Sequence, residues 1–157
     1  DQWWWTIPKI KTKNARFDDA TDLRVPLFGR ALEVVLRRKG MYGDGFLFPG
    51  RKQGTHIQQH ALTTDVYKRM PYCKPFEDKR GWKVDLPKCP VTHWTPHDLR
   101  RTARTFLSML GCEFQLAETI IGHVIPGVAG AYDKYSYDPQ RVEWLRKLSD
   151  YLDGLSA

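Results

Sequence analysis

The sequence predicts an α+β domain, mainly α-helical, with a small β-hairpin at its N-terminal end. Three observations carry this expectation. An aromatic and β-branched run at Trp3-Trp4-Trp5-Thr6-Ile7 precedes a second at Leu23-Arg24-Val25, apolar residues recur at helical spacing over most of the remainder, and Pro and Gly punctuate the ends of those periodic segments. With 157 residues, 41% of them hydrophobic and 27% charged, the chain has the length for one ordinary core and the composition of a folded domain. It has no apolar run of the roughly 18 residues that a membrane span needs, and its start lacks the basic-then-apolar pattern of a signal peptide.

Taken in order, Trp3 to Pro8 reads as a strand with no preceding turn or methionine, so a fragment of a longer chain is expected. Leu23 to Leu27 reads as a second strand. The polar stretch between them, with Lys9, Lys11, Lys13 and Arg16, becomes the connecting loop. Ala31, Leu32, Val35 and Leu36 predict a helix that ends at Lys39-Gly40. Thr55-His56-Ile57-Gln58 has the T-x-x-Q form of a capping box, and the stripe Ile57, Ala61, Leu62, Val66 and Met70 predicts a helix stopped by Pro71. Pro71 to Trp94 lacks a period and reads as loop, with a short extended piece at Trp82-Lys83-Val84.

The strongest helix follows. Thr95 suits the N-cap, Pro96 the first helical position, and Asp98 can return a hydrogen bond to the cap. Leu99, Ala103, Phe106, Leu107 and Leu110 form its core face, and Gly111 closes it. A shorter helix from about Glu113 to Ile121 is expected to bury Phe114, Ala117 and Ile120 or Ile121 and to end at Gly122. A last one follows Asp138 as N-cap and Pro139, with Trp144, Leu148, Tyr151, Leu152 and Leu155 as its apolar face.

Lys and Arg number 25 against 18 Asp and Glu, a formal charge of +7 that favours polyanionic partners. Cys73, Cys89 and Cys112 are an odd set without C-x-x-C spacing, which suits a reducing, cytoplasmic compartment. A zinc site from Cys73, Cys89, His93 and His97 does not follow the usual ligand spacings, so no metal or other cofactor is expected.

His97 and Arg100 are three residues apart and share one side of their helix, with Arg101 and Arg104 nearby. Taken alone, each is ordinary surface charge, and His123 after a helix-ending glycine is equally ordinary. Together, however, Thr95-Pro96-His97-Asp98-Leu99-Arg100-Arg101-Thr102, then Ile121-Gly122-His123, then Tyr132 form an ordered set. This set resembles the tyrosine recombinase family of phage and genomic-island integrases, with H-x-L-R-R/H-T, L-G-H and a nucleophilic tyrosine at these separations. Trp-Thr-Ile-Pro, Lys-Thr-Lys-Asn and Arg-Val-Pro-Leu are similar to the family's β-hairpin, and Ile121 stands where Leu is usual.

The resemblance implies a recombinase catalytic-domain fold, with 1–157 as a partial catalytic domain, and site-specific DNA integration or excision through a 3′-phosphotyrosine. Tyr132 would be the nucleophile, with Tyr135 and Tyr137 as neighbouring competitors. Arg100 and His123 would contact the phosphate, His97 would be a phosphate contact or a proton-transfer partner of the nucleophile, and Lys13 would be the general acid, with Lys11 and Lys9 as fallbacks. On an extended strand all three lysines share one face, so periodicity does not separate them. The family's first catalytic arginine, in a G-x-R-x-x-E context, has no counterpart, so the full-length protein is expected to be an enzyme and this piece an impaired one. Losing one preorganised phosphate donor costs on the order of a hundredfold to a thousandfold in rate.

Arg16, Arg24, Arg51, Lys52, Arg101 and Arg104 are candidate contacts to the DNA backbone. The implied partners are double-stranded attachment sites, further protomers of a tetramer docked through the C-terminal helix, and directionality or DNA-bending factors, in the bacterial cytoplasm. Two other readings compete. One is a type IB topoisomerase that nicks and reseals without exchanging partners; the other is a noncatalytic helix-turn-helix module built from Pro96 to Ile121.

Overall fold

The computed structural model describes residues 1–16, 21–123 and 135–155 and, of Lys13 and Asn14, the backbone only. The elements among them are β1 (Trp4–Ile7), β2 (Leu23–Pro26), α1 (Gly29–Tyr42), α2 (Gln59–Lys68), β3 (Phe76–Glu77), β4 (Lys83–Val84), α3 (Pro96–Met109), α4 (Phe114–Ile120) and α5 (Asp138–Gly154). The α+β class is as the sequence predicts. The chain forms two compact units, Asp1–Arg37 with Thr102–Ala157, and Arg38–Arg101; their boundaries fall inside α1 and α3.

In the first unit, β1 and β2 pair antiparallel, in register from Trp4 opposite Pro26 to Ile7 opposite Leu23. After β1 the described residues do not stay extended. Bonds of the i to i+3 type, from Lys11 N to Pro8 O and Thr12 N to Lys9 O at 2.9 Å each, wind them into 3-10 turns at Lys9–Lys11 and Lys13–Arg16. The shared strand face expected for Lys9, Lys11 and Lys13 therefore does not exist. Asp22 Oδ1 accepts from Lys9 N at 2.8 Å and closes the neck of the loop.

The core of this unit is Leu107, Cys112, Leu116, Ala117, Ile120 and Leu148, with Ala103, Phe106, Leu110, Trp144 and Leu145 packed around it. It joins α3, α4 and α5. Two expected core positions face outward instead. Leu99 is 62% exposed, because the cluster on α3 begins one turn later at Ala103. Phe114 is 69% exposed; Leu116, Ala117 and Ile120 set the buried side of α4, and a residue two positions before Leu116 lies about 200° around the helix.

Gly111 ends α3 at φ +92°, letting Cys112 N reach Leu107 O at 2.9 Å. The other end of the unit is fastened to the hairpin. Arg141 on α5 is buried, and its guanidinium donates to the carbonyls of Ser136 and Arg24, at 3.1 Å each. Arg24 in turn pairs with Asp138 and lies over the Trp4 ring at 4.4 Å. Asp138 is the first residue of α5 rather than its cap; Tyr137 takes the cap position at φ +53° and packs on the core.

In the second unit, α1 runs through Gly40 and stops at Gly43, φ +58°, whose N–H bonds Lys39 O at 2.8 Å. Gly40 alone does not end it, since a glycine stops a helix only where the backbone turns left-handed. The T-x-x-Q string is likewise no capping box. Gly50 N bonds Thr55 O at 2.8 Å and Ile57 N bonds Phe48 O at 3.0 Å, so Thr55 to Gln58 pairs with the preceding segment and α2 starts at Gln59. Met70, just past α2, is fully buried. In the stretch expected to be loop, β3 pairs with β4, which matches the extended piece expected at Trp82 to Val84.

Gly122 sits at φ +73°, and a Cβ there would come 2.7 Å from Leu23 Cδ2. Gly122→Ala is expected to cost about 1–3 kcal/mol for the left-handed backbone, plus an increment for displacing Leu23. Gly111→Ala, in open space, isolates the backbone part. Urea unfolding midpoints compare the two, and the larger loss should fall at Gly122.

Candidate active site

The start of α3 is set by its cap. Thr95 donates from its backbone N and from Oγ1 to Asp98 Oδ2, at 2.9 and 2.8 Å, while Asp98 N donates to Thr95 O at 2.9 Å. This is the return hydrogen bond the sequence predicts. The Thr95 hydrogen bonds hold the Asp98 carboxyl below its ordinary range, with Arg101 adding to them. Helix geometry then places His97 and Arg100 one turn apart on one side of α3. His97 is exposed and Arg100 half-buried; among the described residues, no hydrogen bond or ion pair engages either side chain.

At the end of α4 a second group assembles. Glu118 receives Arg104 Nε on Oε1 at 2.5 Å and faces His123 Nδ1 with Oε2 at 2.5 Å. His123 N also donates to Glu118 O at 2.9 Å. Burial pushes the Glu118 carboxyl up, but hydrogen bonds from Arg104 and His123, and their charges, outweigh it and hold it below the ordinary glutamate range. With Nδ1 turned to the carboxylate, the other ring nitrogen of His123, Nε2, is the one turned away from Glu118. Since about half of the His123 side chain is exposed, that nitrogen can serve an external group.

The structure thus groups the expected residues in two sets, each within its own unit: His97 with Arg100, and His123 with Arg104 and Glu118. Glu118 was not among the residues singled out from sequence. A signal for it exists: Arg104 and Glu118 stand equally far, seven residues, on either side of Gly111, and a helical hairpin turning at that glycine brings such positions together.

The other candidates fare differently. The Lys13 backbone lies in the second 3-10 turn, and its side chain lies outside the described residues; Lys11 is exposed and Lys9 half-buried. Tyr132 also lies outside the described residues. Of its competitors, Tyr137 packs on the core and Tyr135 stands against it edge to face at 5.0 Å. Arg104 is committed to Glu118, to Ser108 and to the Phe114 ring, Arg24 to Asp138 and Trp4, and Arg101 to Asp98 at 3.3 Å. Arg16 is exposed. Arg51 and Lys52 sit exposed at a tight turn closed by Gly50 and Thr55, with no ion pair among the described residues.

Among the described residues no three His, Cys, Asp or Glu are grouped to hold a metal ion, and no helix is long and apolar enough to cross a membrane. Comparison with known proteins returns no family model, no curated protein and no solved structure that matches the chain.

Glu118→Gln is expected to destabilise the protein by roughly 1–3 kcal/mol at neutral pH, the weight of hydrogen bonds to a charged group. Because the Glu118 carboxyl titrates lower in the folded state than in the unfolded one, its contribution is complete above the ordinary carboxylate range and is lost as pH falls through the lowered folded value. The gap between wild type and variant should therefore close on acidification, as read from denaturation midpoints across a pH series.

Proposed function

We propose that the protein is a tyrosine recombinase, which integrates or excises a mobile DNA element by cleaving and rejoining strands through a 3′-phosphotyrosine. The observation that carries this reading is the ordered set His97 and Arg100, then His123 after Ile121-Gly122, then Tyr132. Three structural features support it. His97 and Arg100 project from the capped start of a helix, Arg100 has no competing partner among the described residues, and Glu118 takes up Nδ1 of the half-exposed His123, leaving Nε2 as the nitrogen that does not face it.

In this reading Tyr132 Oη attacks the scissile phosphorus as the phenol proton departs, the phosphorus–5′-oxygen bond breaks, and the 5′ oxygen takes a proton from Lys13. A free phenol has a pKa of roughly 10 and attacks poorly, so the phosphate itself must be activated. Arg100 supplies two parallel hydrogen bonds to nonbridging oxygens, and His123 Nε2 adds a donor when the ring is protonated. His97 contacts the same phosphate or takes part in moving the phenol proton. The ester energy is retained in the phosphotyrosine, so a second 5′ hydroxyl can displace Tyr132 without ATP. Leu152 and Leu155, exposed at the end of α5, suit the docking of that helix on a neighbouring protomer of a tetramer.

The test uses intact protein with a pool of end-labelled, nicked duplexes of randomised sequence, in the presence of a chelator. A covalent adduct that survives denaturant and yields to protease is expected. Tyr132→Phe should abolish it, and Arg100→Ala should reduce it about a hundredfold or more. An undiminished adduct in Tyr132→Phe, or none in wild type, overturns the proposal; relaxation of a supercoiled plasmid without strand exchange would favour a topoisomerase.

A further inference from the structure

We propose that the β3–β4 hairpin is a DNA-contacting prong, with Trp82 stacking on an exposed base and Lys79, Arg80 and Lys83 engaging the flanking phosphates. The unit Arg38–Arg101 holds 13 Lys and Arg against 6 Asp and Glu, which accounts for the whole formal charge of +7; the other unit balances 12 against 12. A polyanion is therefore drawn to this unit in particular.

Within the unit the hairpin is built to display its tip. Asp78 Oδ1 accepts from Arg80 N at 2.8 Å and Trp82 N at 3.0 Å, Asp78 N donates to Trp82 O at 2.9 Å, and Gly81 turns at φ +79°. The Asp78 carboxylate is thus engaged by the turn itself. The indole it holds out is 71% exposed, more than any other tryptophan of the chain. Lys79, Arg80 and Lys83 are exposed, and among the described residues none forms an ion pair, although Glu77 stands opposite Lys83 in register. An exposed indole with three unpaired cations within three residues of it along the chain is the chemistry that binds bases and phosphates together. An acidic protein would use the cations but gain little from the indole plane.

This inference shares with the recombinase reading only the premise that DNA is the partner. Binding is measured by fluorescence anisotropy on a fully paired duplex and on the same duplex with a two-base central bubble, across a salt series. Wild type should prefer the bubble. Trp82→Ala should lose that preference, with affinity for the bubble falling about tenfold, in line with one base–aromatic stack, whereas Trp82→Phe should keep much of it. Lys79→Ala, Arg80→Ala and Lys83→Ala combined should weaken both duplexes and flatten the dependence of log affinity on log salt by about 2–3, near 0.9 per lost contact. Because these side chains are exposed, unchanged circular dichroism is expected for every variant.

Binding unchanged in Trp82→Ala and in the triple variant overturns the proposal, as does polyglutamate competing as well as DNA does. Adduct formation by Tyr132, scored on the nicked duplexes of randomised sequence, reports on the recombinase reading separately. Hairpin-dependent binding without adduct would sink that reading alone, and adduct with hairpin-independent binding would sink this one alone.

Discussion

A single carboxylate ties α4 to α3 and to the His123 ring. A helix of seven residues has too few internal hydrogen bonds to persist by itself, so α4 exists because its buried face joins α3 and α5 and because Glu118 ties it back to Arg104. Each Glu118 oxygen faces a different partner, the Arg104 guanidinium on one side and the His123 ring on the other. Rotating the carboxylate to improve one contact would damage the other. The position of the His123 ring is therefore linked to the register between α3 and α4, and through Leu107 and Leu116 to the packing of the core.

The same unit is closed from the opposite side by residues far apart in the chain. Leu23 of β2 presses on the bare Cα of Gly122, and Arg141 of α5 fastens the β2 backbone by its donation to Arg24 O. Burying Arg141 is costly unless its donors are used, and here they reach two carbonyls, with Asp138 supplying charge nearby. Three elements thus meet where α4 gives way to His123: the exit of the hairpin, the end of α4 and, through Arg141, the start of α5.

What was legible from sequence was local. The cap of α3, the glycines that end α3 and α4, the hairpin strands and the helical phase of Ala103 through Leu110 each depend on residues within a few positions of one another. The failures are equally specific. Thr55 has the chemistry of a cap, but a bridge between Pro49 and His56 takes the segment into pairing instead. Gly40 stays helical because the left-handed turn falls three residues later. Leu99 and Phe114 are apolar, but periodicity says nothing about where a core stops. Of the candidate site, His97 and Arg100 sharing a helix side was readable, whereas the Glu118 clasp needed the α3–α4 turn to be in place first.

Charge and packing are divided along the chain in the same way. The unit with the extended core carries no net charge, and five of its twelve cations are committed to named partners, Arg24 to Asp138, Arg30 to Asp153, Arg104 to Glu118, Lys147 to Glu143 and Arg141 to backbone carbonyls. In the other unit Met70 is the buried hydrophobic residue among the described residues, and the excess of seven positive charges is left to solvent at turns such as Arg51-Lys52 and Lys79-Arg80. Like charges kept together on a small core repel one another, and a polyanion relieves that repulsion as it binds. In the reading proposed above, the two demands on a strand-cleaving protein are met by different parts of one chain. The neutral, well-packed unit orients His123 through Glu118, and the basic unit carries His97, Arg100 and the excess charge that would meet the phosphate backbone.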